Sequence, residues 1–164
     1  MKEDILQSCY EKYYQKAYLY ALSLCKDKIW AEDIVSEAFL KAILSMEEET
    51  ESFLYWLLRV CRNLFLDEVR RRKRRPTEEL TDRAAVPEDA LATVLKKEKN
   101  RRLHRAMASL PAQYEQILLL YYFAGLSVKQ IATLQGISDT AVKTALFRAR
   151  VRLRKEWEAE GYDL

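Results

Sequence analysis

The chain has 164 residues, 49% of them hydrophobic, with only three glycines and three prolines; that is enough for one large or two small globular units, and the scarcity of turn residues points to an all-α fold. A formal net charge of +3 is too small to name a partner, so the distribution of charge carries the information. Cys9, Cys25 and Cys61 form no CxxC pair and His104 is the only histidine, which excludes a zinc site of usual spacing and leaves buried free thiols in a reducing cytoplasm as the expectation.

The amino terminus carries Lys2, Glu3 and Asp4 but no apolar run like a signal peptide, and no stretch is long enough to span a bilayer. A cytoplasmic protein without membrane insertion is therefore expected. From about Ile5 to Arg75 the pattern is a run of amphipathic helices, with breaks near Lys26 to Lys28 and across Ser45 to Ser52. In the helix from Trp30 to Met46, Ile34, Val35, Ala38, Phe39 and Ala42 make the core face. Asp33, Glu37, Leu40 and Leu44 fall together on the opposite side at 3.6 residues per turn. Carboxylates mixed with leucines on an outward face suit docking against a basic partner helix. On spacing alone, packing of Leu40 and Leu44 against the amino-terminal helix fits equally well.

The next helix, Phe53 to Arg75, places Phe53, Leu57, Val60, Cys61 and Leu64 on its core face and Arg59, Asn63, Leu66 and Arg70 on the reverse. It ends in Arg70, Arg71, Arg72, Lys73, Arg74 and Arg75. Cations at a helix carboxyl end complement its dipole, yet six in succession exceed that need. Together with Tyr55, Trp56 and Asn63 they could meet phosphates and unstacked bases, although Trp56 serves equally well as a core residue.

Helical periodicity lapses over PTEELTDRAAVPEDA, Pro76 to Ala90, which holds two of the three prolines and the acids Glu78, Glu79, Asp82, Glu88 and Asp89. This composition reads as a flexible acidic linker. The pattern resumes at Leu91 and continues to Trp157, with Pro111 opening a helix after Ser109 and Leu110. The division is 1–75, a linker at 76–95, and 96–164.

Within the second unit, SVKQIATLQGISDTAVKTALFRARVRLR matches a helix-turn-helix at several spaced positions. Ala132 is the small residue where two helices cross, Gly136 supplies the positive φ of the turn, and Val142 returns an apolar side chain to the core. Ser138 is placed to cap the second helix, which leaves Asp139, Thr140, Ala141, Lys143, Thr144 and Phe147 to reach a major groove. Arg148, Arg150, Arg152, Arg154 and Lys155 follow as a run suited to phosphates.

These segments resemble, in order, the bacterial sigma factors of the extracytoplasmic-function group, the smallest branch of the sigma-seventy class. AEDIVSEAFLKAI is similar to the helix that binds the clamp helices of RNA polymerase, which implies core-polymerase binding by Asp33, Glu37, Leu40 and Leu44. FLYWLLRVCRNLFLDEVRRRKRR is similar to the promoter-melting, minus-ten-reading helix, implying DNA contact by Arg59, Asn63, Arg70 and Arg71, with Asp67 among the matching positions. LPAQYEQILLLYYFAGLSVKQIATLQGISDTAVKTALFRARVRL is similar to region four, which reads the minus-thirty-five element, implying Ser138, Asp139, Thr140, Lys143, Thr144, Arg148 and Arg150 as DNA-binding residues. The expected architecture is thus a region-2-like bundle and a region-4-like helix-turn-helix on a linker that, in the family, threads polymerase toward the RNA exit path.

The resemblance implies core RNA polymerase and promoter DNA as partners, an anti-sigma factor that nothing in the chain identifies, no cofactor, no metal and no enzymatic activity. The acidic loop SMEEETES, Ser45 to Ser52, departs from the family where it captures a flipped base, and Ala141 and Ala145 are small where relatives often carry other side chains. No domain is expected after the recognition helix. A response-regulator-like activator would require alternating strand runs upstream, and the first half shows helical periodicity. A nuclease using Asp67 with Glu68, or Glu47 to Glu49, lacks supporting histidine or lysine, and an RNA-binding adaptor leaves the major-groove motif unused.

Overall fold

The structure, a computed structural model, describes residues 3–45, 52–74 and 98–161, with side chains from 101 onward in the last stretch. Every regular element among these residues is helical. The chain divides into two compact units, Met1–Val86 and Pro87–Leu164. The expected linker at 76–95, Arg75, Met46 and most of the acidic loop lie outside the described residues.

The first unit contains α1 (Glu3–Cys25), α2 (Lys28–Ser45) and α3 (Phe53–Arg74), each packed on the other two. Helix α1 stops because Lys26 takes a left-handed conformation, φ 56°, while its N–H donates to the Leu22 carbonyl at 2.9 Å. One residue later Asp27 caps α2 by accepting from the Trp30 N–H at 3.1 Å, so the helix starts two residues ahead of the expected Trp30. Buried Ala31, Ile34, Val35, Ala38, Phe39 and Ala42 are the core face that the sequence periodicity predicts.

Helix α3 differs from expectation in rotation. Phe53, Leu57 and Cys61 are fully buried, but Leu54 and Leu58 complete the face, while Val60 and Leu64 are only half-buried. The cause is that α3 must fill the angle between α1 and α2, which buries a wedge rather than a stripe. Phe53 is the keystone, with ring centroids 5.5 Å from Tyr13 of α1, 6.4 Å from Phe39 of α2 and 6.0 Å from Trp56.

The second unit contains α4 (Glu98–Ala108), α5 (Ala112–Leu118), a π-helical turn continuing it (Leu119–Phe123), α6 (Val128–Gln135) and α7 (Asp139–Ala159). Pro111 flanks α5 as its cap residue, its carbonyl accepting from the N–H groups of Tyr114 and Glu115 at 2.9 and 3.1 Å. Helix α7 is the hub, packed against α4, α5 and α6. Its Val142, Ala145, Leu146 and Ala149 are buried with Ile117, Leu120, Ile131 and Leu134 of the neighbouring segments. Full burial of each valine, leucine or isoleucine among them contributes roughly 1.5–3 kcal/mol.

Candidate functional site

On α2, Asp33, Glu37, Leu40 and Leu44 all face outward. Leu40 is 52% exposed and Leu44 78%, so neither is buried against α1. Ile43, which the wheel did not single out, adds to the same exposed end of the helix. Exposed aliphatic side chains beside carboxylates form a surface that another protein, rather than water, would favour.

On α3, Arg59, Asn63, Asp67 and Arg70 are exposed along one face, with Leu66 half-buried at its edge. The Arg59 guanidinium lies 5.8 Å from the Tyr55 ring centroid. Trp56 is half-buried, its ring centroid 6.0 Å from that of Phe53. The basic end is less free than its sequence suggests. Arg70 pairs with Asp67 at 3.1 Å, Arg71 grips Glu68 through two hydrogen bonds of 3.0 and 2.8 Å, and Arg72 reaches the same carboxylate at 3.0 Å. Hydrogen bonding from Arg71, and then from Arg72, pulls the Glu68 carboxyl down to about 2.

Arg72 also stacks over the Trp30 ring at 4.2 Å, and Trp30 in turn meets Phe65 at 5.3 Å. The cluster ties the carboxyl end of α3 to the start of α2. Glu68 was legible from its i, i+3 and i, i+4 spacing to the arginines. Trp30 was not, because its partners lie on another helix.

The helix-turn-helix in the second unit is built by two caps and one turn. Ser127 and Gln130 form a reciprocal capping box at the start of α6, with Gln130 N–H to Ser127 Oγ at 3.1 Å and Ser127 N–H to Gln130 Oε1 at 2.9 Å. Gly136 ends α6 at φ 70°, and the Ala132 carbonyl accepts from both Gly136 and Ile137. Ser138 caps α7, its Oγ accepting from the Ala141 N–H at 3.1 Å. Gln135 holds α5 by donating to Gln116 Oε1 at 2.9 Å.

This frame exposes Ser138, Asp139, Thr140, Lys143, Thr144, Phe147, Arg148 and Arg150. Ala145 is buried, so it is a packing residue where α7 runs against its neighbours and not a reader of bases; Ala141 is half-buried. Phe147 is 66% exposed and, with Val151 and Tyr114, lines an open groove of about 400 Å³ rimmed by Arg148, Arg152 and Lys155. Arg150 is engaged: its Nε donates to the Tyr122 hydroxyl at 2.5 Å. Sequence periodicity gave no sign of that pair.

His104 is buried with its ring edge-on to Phe123, 5.6 Å between centroids, and burial lowers its pKa. Cys9, Cys25 and Cys61 are buried free thiols, and burial pushes Cys25 up to about 11 and Cys61 up to about 12. Among the described residues no group of three His, Cys, Asp or Glu side chains converges as a metal site, and no helix is long and apolar enough to cross a membrane.

The profile of Sigma-70 region 2 matches residues 9–75, and that of Sigma-70 region 4 matches residues 100–153. The ECF RNA polymerase sigma factor SigM of Bacillus subtilis is 30% identical over 159 residues, covering 91% of this chain and 93% of that protein. The chain belongs to the extracytoplasmic-function group of RNA polymerase sigma factors. The ECF sigma factor SigL of Mycobacterium tuberculosis is 31% identical, covering 92% of this chain and 87% of the relative.

The fold is shared with solved structures, two of which are complexes. The sigma factor RpoE of Bartonella quintana, solved with the anti-sigma factor NepR, superposes with a TM-score of 0.69 at 22% identity, over 96% of this chain and 98% of that one. CnrH, solved with the cytosolic domain of CnrY, gives 0.61 at 20% identity, over 96% and 90%. As a sigma factor the chain associates with core RNA polymerase and directs initiation at promoters.

Proposed function

We propose that the two units divide promoter recognition, with Asp33, Glu37, Leu40 and Leu44 docking on core polymerase, Arg59, Asn63, Arg70 and Arg71 engaging the melted minus-ten strand, and Ser138, Asp139, Thr140, Lys143, Thr144, Arg148 and Arg150 contacting the minus-thirty-five duplex. The observation that carries the docking assignment is the exposure of Leu40 and Leu44 on the same α2 face as Asp33 and Glu37. Carboxylates steer and orient an encounter with a basic surface, and the two leucines supply the apolar area that holds it.

The same reading makes α7 the groove-reading helix. Its capped amino end presents Asp139, Thr140, Lys143 and Thr144, the short polar or cationic side chains that base edges accept. The protein supplies no catalysis of its own, works in the cytoplasm, and is held in check by an anti-sigma factor; the solved complex of RpoE, which shares the fold, with the anti-sigma factor NepR supports this last part of the reading.

The test is a double charge reversal, Asp33→Arg with Glu37→Arg. Both side chains are exposed, so the circular dichroism spectrum should stay native while capture of core polymerase falls at least ten-fold, the effect of replacing two attractive charges by repulsive ones. Undiminished capture by a natively folded variant rejects this face as the docking site.

A further inference from the structure

Helix α5 does not simply end at Leu118; it widens into a π-turn, in which the Ala124 N–H donates to the Leu119 carbonyl five residues back, at 2.8 Å. Such turns shift the helical phase and frequently re-aim side chains at functional sites. Here the consecutive rings of Tyr121 and Tyr122 meet edge to face at 4.9 Å and flank one guanidinium. The Arg150 guanidinium lies 5.8 and 5.4 Å from their centroids, and its Nε donates to the Tyr122 hydroxyl at 2.5 Å. Both members of the pair are accessible, Tyr122 being 60% exposed.

The donor inventory of this pair is unusual. Tyr122 accepts through its oxygen and so keeps its own proton to give; Arg150 uses only Nε and keeps the four N–H groups of its terminal nitrogens. The phenol proton and the guanidinium N–H on the Nε side therefore stand next to each other on the surface, together with a full positive charge. A tetrahedral oxyanion accepts from several directions at once, which matches such a cluster better than a planar base edge does.

Arg150 lies on the stripe that carries Lys143, two helical turns further along α7, about 10 Å along its axis. With the start of α7 in a major groove, the group that meets a helix this far from the base edges is a strand backbone. We propose that Tyr122 is a DNA-contacting residue, forming with Arg150 a clamp on a single backbone phosphate beside the minus-thirty-five element, and that the π-turn serves to bring the hydroxyl to the guanidinium. The proposal rests on the reading of α7 as the groove-reading helix.

Tyr122→Phe keeps the ring and removes only the hydroxyl. The experiment uses the full chain assembled with core polymerase and a duplex promoter selected by that assembly from randomised upstream sequence. Each phosphate around the upstream element is replaced in turn by an uncharged methylphosphonate. The wild-type complex should lose affinity at a small set of positions. Tyr122→Phe should bind the unmodified duplex about two- to ten-fold more weakly, the loss of one net hydrogen bond, with unchanged sequence preference. At one phosphate, where the wild type is sensitive, the variant should show a diminished further loss, because the contact is already gone.

A variant that binds as wild type, or one that binds more weakly yet keeps the whole wild-type methylphosphonate profile, overturns the clamp; the second result would mean that the hydroxyl serves folding alone. Lys143→Ala with Thr144→Ala tests the underlying reading separately. If that pair alters upstream preference while Tyr122→Phe does nothing, the clamp alone is wrong. If the pair leaves upstream preference unchanged, α7 does not read the groove and the clamp falls with it.

Discussion

The carboxyl end of α3 and the cationic stretch of α7 are similar strings of arginine and lysine, but their surroundings differ. In α3, Asp67 holds Arg70, Glu68 holds Arg71 and Arg72, and the Trp30 ring covers Arg72. In α7 no acidic residue occurs between Asp139 and Glu156; Arg154, near the end of the run, reaches Glu158 at 3.5 Å, and Arg150 is met instead by a phenol. Carboxylates beside cations damp the field that a passing duplex feels, whereas an unbalanced stretch attracts phosphate on first encounter. Net charge per helix therefore says less than which cation has a carboxylate one turn behind it. That contrast fits a division in which α7 finds duplex DNA and α3 engages strands that are already close and partly open.

The division breaks most visibly at Asn63, an exposed amide among cations on α3. Unpaired bases exist only after melting, so Asn63→Ala should spare polymerase assembly and closed-complex binding. It should reduce permanganate-reactive thymines around the start site roughly ten-fold, about the effect of one lost hydrogen-bonded base contact. A premelted bubble template should restore most transcription. Normal melting by the variant, or a bubble that gives no rescue, would remove the distinction between the two helices.

How far the sequence carried this picture depends on whether a position is set locally. Ala132, Gly136, Ser138 and Val142 were legible because a helix-turn-helix fixes each of them within a few bonds, and the outward face of α2 follows from helical period alone. The rotation of α3 was not legible, since the paired leucines Leu57–Leu58 permit two registers and packing against two helices chooses between them. The π-turn hides in LLYYF, where an unbroken apolar run has no phase to shift. Ala145 misled because a small side chain marks close packing and an open groove equally well. Trp30 over Arg72, and Tyr122 on Arg150, join distant segments and leave no trace in local spacing.

A second comparison between the units concerns how each stops a helix. Lys26 and Gly136 occupy the same left-handed region, φ 56° and 70°, and each donates its N–H to the carbonyl four residues back. Only one of them is glycine. A methyl group at Gly136 would meet no atom within 4 Å, so Gly136→Ala should reveal conformational strain alone, about 1–2 kcal/mol of lost stability in the second unit. Lys26→Gly should do the reverse in the first unit. The gain is smaller, ~0.5–1 kcal/mol, because glycine also loosens the unfolded chain. Denaturant midpoints moving in the same direction for both exchanges would show that something other than φ governs these turns.

The smallest expected difference is in response to acid, and its two arms have separate windows. In the second unit, burial holds the folded pKa of His104 below its usual 6.5, so the unfolded chain takes up a proton that the folded one refuses. The stability that depends on neutral His104 is complete above pH 6.5 and declines as pH falls below it. In the first unit, the Glu68 carboxyl is held at about 2 against an ordinary 4.5, so its contribution is complete above pH 4.5 and is lost between there and 2. That contribution is at most ~1 kcal/mol, since Arg71 and much of the pair stand in water. Amide hydrogen exchange resolved by helix on the intact chain separates the two arms. Between pH 7 and 5.5, with rates corrected for the intrinsic pH dependence, protection of α4 to α7 should fall while that of α1 to α3 holds. Glu68→Gln should lower protection of the first unit near neutral pH and make its decline below pH 4.5 shallower. Equal loss in both units between pH 7 and 5.5 would mean that His104, the only histidine of the chain, does not set the difference between them.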